Sequence, residues 1–316
     1  MKVLVLTNMY PTAMEPWAGS FVAEQVEDLR DLGIDLEVLA FDGRRKRSAY
    51  LRAAASIRRR ATSSFDLVHA HYGLTGAVAL AQRRLPVITT FHGSDTGYIP
   101  WQLRVSRFVA SRTTPIIVNR SMADALRCPN ATLIPVGVNT EQFRPLDRAE
   151  ARVRLGWEAD APYALFPGFR RNARKRFDLF SAAVEQAQHE LPDLRTAILE
   201  GFSREKAALT LAAADVTVMT SDWEGSPVAV RESLACETPV VSVPVGDVPE
   251  VISDLPGCTI CERDSGALAQ ALLQAIDAGR SPNLRKRAEE TSRPQVARSI
   301  IAVYERVLAA RVKSRR

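Results

Sequence analysis

Short runs of β-branched and apolar residues alternate along the chain with longer segments whose apolar positions recur every three or four residues. Runs of the first kind cover 2–7, 35–41, 66–70, 86–91, 115–118 and 131–135 and predict strands. Helical spacing covers 20–32, 48–60, 74–84, 101–112 and 120–127. Residues 139–161 break the alternation: they are polar, carry Pro145 and predict a linker. A second series follows, with strands near 162–167, 195–200, 215–220, 239–243 and 257–261 and helical patterns near 176–190, 204–214, 227–236 and 265–278. Two more helical patterns, near 283–291 and 294–311, close the chain, and Pro294 suits a first helical turn.

Strands that alternate with helices predict parallel sheets joined by crossover helices. The expected fold is therefore α/β, with two doubly wound Rossmann-like domains facing across a cleft at the carboxyl ends of their strands. The expected divisions are 1–145, 146–292 and 293–316, the last a helix crossing back to the first domain and a basic tail. No G-x-G-x-x-G follows either first strand, which removes the main signature of a nicotinamide-dependent dehydrogenase.

At 316 residues, with 46% hydrophobic and 25% charged, the chain can bury large cores and is neither disordered nor fibrous. Its net charge of +6 is concentrated: residues 44–60 hold eight bases and 311–316 hold four, with no acid in either stretch. The remainder is acidic, which argues against nucleic acid as a partner. Within 48–60, Tyr50, Leu51, Ala54 and Ile57 form an apolar stripe among Arg52, Arg58 and Arg59. That pattern fits a solvated helix or, more sharply, a patch that meets anionic lipid headgroups or a lipid-diphosphate acceptor. The basic tail reads as a frayed terminus.

The apolar run at the N-terminus is too short for a signal peptide, and no stretch approaches the roughly 18 residues of a membrane span. The expectation is a cytoplasmic protein, peripheral at the inner face of the membrane. Four cysteines are too few and too uneven for a disulfide framework. Cys258 and Cys261 form a C-x-x-C on a strand-like stretch without a second ligand pair, so a structural role is expected.

The segment TSDWEGSPVAVRE (220–232) carries the strongest candidate chemistry. A strand ends, a loop holds Glu224, Gly225 and Ser226, and Pro227 opens a helix whose free N–H groups suit an anion. Glu224 and Glu232 stand eight residues apart and could each hold the hydroxyls of a sugar or ribose; equally, Glu224 could cap the helix and Glu232 face solvent.

EGSPVAVRE resembles the EGxPxxxxE signature of family-four retaining glycosyltransferases of the GT-B fold. SLACETPVVSVPVGDVPEVI continues the likeness, as do FDLVHAHYG (65–73), PVITTFHGSD (86–95) and ATLIPVGVNTEQFRP (131–145). The resemblance implies a nucleotide-diphosphate sugar as donor and a polysaccharide, glycolipid or lipid-linked acceptor, with no metal or cofactor. It implies that Glu224 contacts the donor sugar, that Glu232 holds the ribose, and that the backbone from Gly225 through Val228 to Ala229 cradles the diphosphate. A basic pair after the first strand of the second domain, Arg170 and Lys175, would neutralise the departing diphosphate, with Arg171 or Arg174 replacing Arg170 in another register. His92 would sit near the anomeric centre, with at most one of His69 and His71 functional. Gly19 would bring backbone N–H groups to phosphate or acceptor. Only 15 residues (200–214) separate two strands where the family commonly has an extra strand and helix. That departure leaves room for a non-catalytic sugar-nucleotide-binding protein, and a nucleotide-sugar epimerase would share fold and donor.

Overall fold

The computed structural model describes residues 1–15, 18–43, 46, 48–60, 64–97 and 99–315. Arg44, Arg45 and Arg47 of the basic stretch and Arg316 of the tail lie outside the described residues. The chain forms two compact units, residues 1–137 with 293–316, and residues 138–292.

The first unit is built on β1 (Lys2–Thr7), β2 (Asp35–Ala40), β3 (Leu67–His71), β4 (Val87–Phe91), β5 (Thr114–Ile117) and β6 (Thr132–Leu133). Its helices are α1 (Ser20–Asp31), α2 (Ser48–Arg60), α3 (Gly73–Ala79), α4 (Pro100–Ala110) and α5 (Ser121–Leu126). The strands are parallel, in the order β2-β1-β3-β4-β5-β6. Every residue of β3 and β4 is buried, as a sheet covered on both faces requires.

The second unit begins with α6 (Arg148–Leu155) and continues through β7 (Tyr163–Phe166), α7 (Phe177–Ala187), β8 (Arg195–Ile198), α8 (Arg204–Ala213) and β9 (Val216–Met219). It ends with α9 (Val228–Ala235), β10 (Val240–Ser242), α10 (Val248–Ile252), β11 (Thr259–Ile260), α11 (Ser265–Ala278) and α12 (Pro282–Glu289). Its parallel sheet runs β11-β10-β9-β7-β8. In each sheet the order reverses beside the first strand, and loops from the carboxyl ends on either side of such a point are where this architecture binds ligands.

One stretch departs from the sequence pattern. Residues 139–161, expected as a linker, hold α6, capped by Asp147 and stopped by Gly156 at φ +70°. Buried Arg152 pairs with buried Asp215 at 2.5 Å, and Val138 and Phe143 enter the apolar core. The polarity that suggested a linker thus belongs to one packed helix with an internal ion pair. The division of the units accordingly falls at 137/138, ahead of the 145/146 read from the sequence.

The last helix, α13 (Arg293–Arg315), packs on the first unit. Val296, Ile300, Val303 and Tyr304 are buried against Val3, Val5, Leu36, Leu67 and Ile116 of the sheet. Full burial of each such side chain contributes about 1.5–3 kcal/mol. Arg293 fixes the start of α13 by donating to Asp28 of α1 at 2.8 Å.

Candidate functional site

In the second unit the loops after β7 and β9 flank the reversal point, and they are stitched together. Asp222 N–H donates to the Arg174 carbonyl at 2.9 Å, and the Thr220 hydroxyl donates to the Lys175 carbonyl at 2.8 Å. Arg176 makes this turn possible by adopting φ +53°. The stitching delivers two cations to one carboxylate. Lys175 Nζ lies 2.7 Å from Glu224 Oε1, and Arg174 Nη1 lies 2.8 Å from Oε2. Ser221 donates its hydroxyl to the same carboxylate at 2.9 Å.

Burial pushes the Glu224 carboxyl up, but the charges and hydrogen bonds of Lys175 and Arg174 outweigh it and hold the group below its ordinary range. With two cations against one anion, this corner keeps a positive surplus, the condition for binding a phosphate. Arg174 is held further by Trp223, whose ring lies 4.5 Å beneath its guanidinium and whose carbonyl accepts from it at 2.7 Å.

Beside this corner α9 starts at Val228, with Pro227 as its cap in an extended conformation, one residue later than the sequence suggested. The first turn of a helix leaves backbone N–H groups without intrahelical partners. The Ser226 hydroxyl, on a residue only 9% exposed, has no hydrogen-bond partner among the described residues. A buried polar group left unmet is costly, so the loop holds an unspent hydrogen-bonding group next to a helix N-terminus. Gly246, in the turn after β10, presses on the same loop at φ +57°, where a Cβ would come within 2.6 Å of the Gly225 carbonyl oxygen.

The structure treats the other expected residues unequally. Glu232 is buried at 3% exposure and receives Arg204 Nη1 at 2.6 Å. Arg170 points elsewhere: its side chain is 60% exposed and pairs with Glu200 at 3.2 Å. Arg174, an alternative register in the sequence, pairs with Glu224. Arg204 and the buried pair Arg231–Asp247, at 2.6 Å, carry no spacing signal in the sequence, because their partners come from distant segments.

Gly19 and His92 belong to the first unit. Gly19 caps α1 at φ +70°, and a Cβ there would meet the Met9 carbonyl oxygen at 2.4 Å. Phe21, two residues on, packs edge-on against the His92 ring at 5.0 Å, so both residues share one end of this sheet. His92 N–H donates to Asp95 at 2.7 Å, and Gly73 N–H donates to the other Asp95 oxygen at 2.8 Å. His71 Nδ1 lies 3.2 Å from His92 Nε2, and His69 is bound between Tyr304 and Thr90 at 2.6 and 2.7 Å.

All three histidines are buried. Burial, reinforced by His71, pushes His92 well below the ordinary imidazole range, and burial alone takes His71 down to about 3. His92 is therefore neutral near pH 7 and can offer a hydrogen bond but not a charge. Among the described residues, no three His, Cys, Asp or Glu side chains gather as ligands for a metal ion. No described helix is long and apolar enough to cross a membrane.

Residues 172–278 match the family model of group 1 glycosyl transferases, and residues 18–142 match that of glycosyltransferase family 4. The chain belongs to glycosyltransferase family 4. A Bacillus subtilis protein named as a teichuronic acid biosynthesis glycosyltransferase, TuaC, is 26% identical over 86% of this chain and 88% of its own. Among solved structures, sucrose-phosphate synthase from Thermosynechococcus elongatus superposes with a TM-score of 0.80 at 18% identity, covering 98% of this chain and 99% of that one. Anabaena HepE, in complex with UDP and glucose, gives 0.74 at 16% identity, covering 96% and 99%. These likenesses establish the GT-B type of fold, and this family-4 glycosyltransferase is a transferase enzyme.

Proposed function

We propose that this glycosyltransferase moves a sugar, with retention of configuration and without a metal, from a nucleotide-diphosphate sugar to a polysaccharide, glycolipid or lipid-linked acceptor. The observation that carries this reading is the pair of cations on Glu224 beside the unmet Ser226 hydroxyl and the start of α9. Lys175 and Arg174 neutralise the diphosphate as it leaves, the main electrostatic demand of the transfer. Glu224, held ionised, faces the donor sugar, and Glu232 takes the ribose hydroxyls. Gly225 through Val228 offer backbone to the phosphates, and Gly19 offers it on the acceptor side. Neutral His92 hydrogen-bonds the sugar. Retention follows from the family likeness and corresponds to departure and attack on one face.

The HepE complex with UDP and glucose supports a uridine-type donor in this fold, and the name of TuaC, a teichuronic acid biosynthesis glycosyltransferase, supports a polysaccharide as product. Helix α2, with Arg52, Arg58, Arg59 and Arg60 exposed and no acid, supports a cytoplasmic enzyme resting on an anionic membrane.

Incubation with radiolabelled UDP-, GDP- and ADP-sugars, followed by nucleotide release, tests the activity, and EDTA is expected to leave it unchanged. Proton NMR of the product's anomeric centre tests retention. Equal nucleotide release by wild type and Glu224→Ala would overturn the role of Glu224. Equal sedimentation with neutral and anionic vesicles would overturn the membrane assignment.

A further inference from the structure

Strands β3 and β4 bring four polar side chains to one face of the first sheet. His69 and His71 alternate along β3, and Thr90, the register partner of His71, lies two residues before His92. The three imidazoles form a file: His69 stacks on His71 with ring centroids 4.6 Å apart, and His71 lies beside His92 at 5.5 Å with the rings 13° from parallel. His69 ends the file, because its two nitrogens are spent on the Tyr304 and Thr90 hydroxyls. His71 is differently placed. Its Nδ1 faces His92 Nε2 at 3.2 Å, while its own Nε2 is buried with no hydrogen-bond partner among the described residues.

That asymmetry bears on where the protons are. A neutral imidazole has one N–H and one bare nitrogen, and burial keeps both rings neutral near pH 7. A proton on His92 Nε2 would point at a bare His71 Nδ1 and leave His71 Nε2 as a buried N–H without an acceptor. Such an orphaned donor is rarer in folded proteins than an acceptor left unmet. The Asp95 N–H, three residues beyond His92, is taken by the His92 main-chain carbonyl at 2.9 Å.

A second feature marks the same spot. Tyr72, which follows His71, holds φ +74° and lays its ring on His92 at 4.6 Å. Bulky residues keep such a backbone where their surroundings impose it, and these positions cluster at functional sites.

We propose that His71 is a positioning residue for the transfer: its Nδ1–H donates to His92 Nε2 and so fixes the His92 proton on Nδ1, the nitrogen left for the donor sugar. This rests on the proposed role of His92 at the sugar and names what aims it. Without His71 the His92 ring could carry its proton on either nitrogen and offer the sugar a lone pair as readily as an N–H.

The test is long-range proton–nitrogen NMR at pH 7 on protein carrying nitrogen-15 histidine, in which bare and protonated ring nitrogens resonate far apart. The chain has four histidines, and His92→Asn identifies the His92 signals by their loss. Wild type is expected to show His92 protonated on Nδ1 and bare at Nε2. His71→Phe is expected to average the His92 signals between the two tautomers and to lower kcat about tenfold, with the nucleotide-induced thermal shift preserved. His71→Asn, whose amide N–H can stand in for the Nδ1 donor, is expected to restore both the wild-type His92 signals and most of kcat. A His92 proton on Nε2 in wild type overturns the proposal, even where neither variant folds. So does an unchanged His92 tautomer in His71→Phe, or a His71→Asn enzyme as impaired as His71→Phe. If the spectra are as expected yet His92→Asn turns over like wild type, the pairing of His71 with His92 stands and the role of His92 in the transfer fails.

Discussion

Lys175 Nζ lies 2.7 Å from Glu224 Oε1, although 49 residues separate the two in sequence. Arg174 occupies the other carboxylate oxygen, so two adjacent cations share one partly buried anion. Replacing Lys175 or Arg174 by Ala is expected to lower kcat about 10²- to 10³-fold, as loss of a preorganised charge does. Arg170→Ala removes an exposed ion pair worth at most about 1 kcal/mol and should change kcat less than about fivefold. Steady-state kinetics of the three variants ranks them. An Arg170 effect as large as that of Arg174 would place Arg170 at the diphosphate.

Glu232 and Arg204 call for a different signature. If Arg204 aims Glu232 at the ribose, Arg204→Ala raises the donor KM about tenfold and leaves kcat near wild type, a loss of uniform binding. A fall in kcat at constant KM would place Arg204 in the chemical step instead.

The buried histidines set an acid limit. The unfolded chain takes up a proton on His71 near pH 6.5, whereas the folded chain resists until about 3. Stability therefore declines as pH falls across that window, at about 1.4 kcal/mol per pH unit from this group. Asp95 acts oppositely. Burial raises its folded carboxyl to about 7, so between pH 7 and about 4 the folded chain holds a proton that the unfolded chain has lost. It offsets one histidine, leaving His69 and His92, both depressed mainly by burial, to dominate. His71→Gln should flatten the dependence of Tm on pH between 6.5 and 4, and parallel curves would contradict this account.

Two glycines with similar backbones separate strain from crowding. Gly156 has φ +70° and open space within 4 Å of where a Cβ would stand, whereas Gly246, at φ +57°, is blocked by the Gly225 carbonyl. Gly156→Ala should cost about 1–2 kcal/mol and leave nucleotide binding alone. Gly246→Ala should cost more and also reduce the nucleotide-induced thermal shift, because it must displace the Glu224–Gly225 loop.

Arg231 and Asp247 form an ion pair in which Arg231 is 2% exposed and Asp247 4%. Arg231→Met alone should destabilise by about 3–5 kcal/mol in urea unfolding, because it leaves a buried charge without its partner. Arg231→Met combined with Asp247→Leu should cost less than the single change.

The strands and helices were legible because each parallel strand, covered on both faces, reads as an apolar run, and each helix between them shows one apolar stripe. Helix α6 was not, since its buried face is occupied by Arg152, whose partner Asp215 lies 63 residues away. Local spacing reports only what neighbours in sequence do. The same limit explains the site: Glu224 and the start of α9 follow from a local motif, and Lys175 from the family resemblance alone. That Arg174 meets Glu224 follows from a carbonyl–amide contact with Asp222, which no spacing encodes.

The first unit is discontinuous, since residues 293–315 close its sheet after the whole second unit has been made. A chain emerging from the ribosome amino end first can finish residues 138–292 while Val3, Val5, Leu36 and Leu67 still lack the cover of Val296, Ile300 and Tyr304. The unit whose first segment is translated before the other is thus the one that matures last, and its exposed sheet face is what chaperones would meet on the nascent chain. A stop codon anywhere before residue 296 leaves that face bare, whatever remains of the chemistry in the second unit.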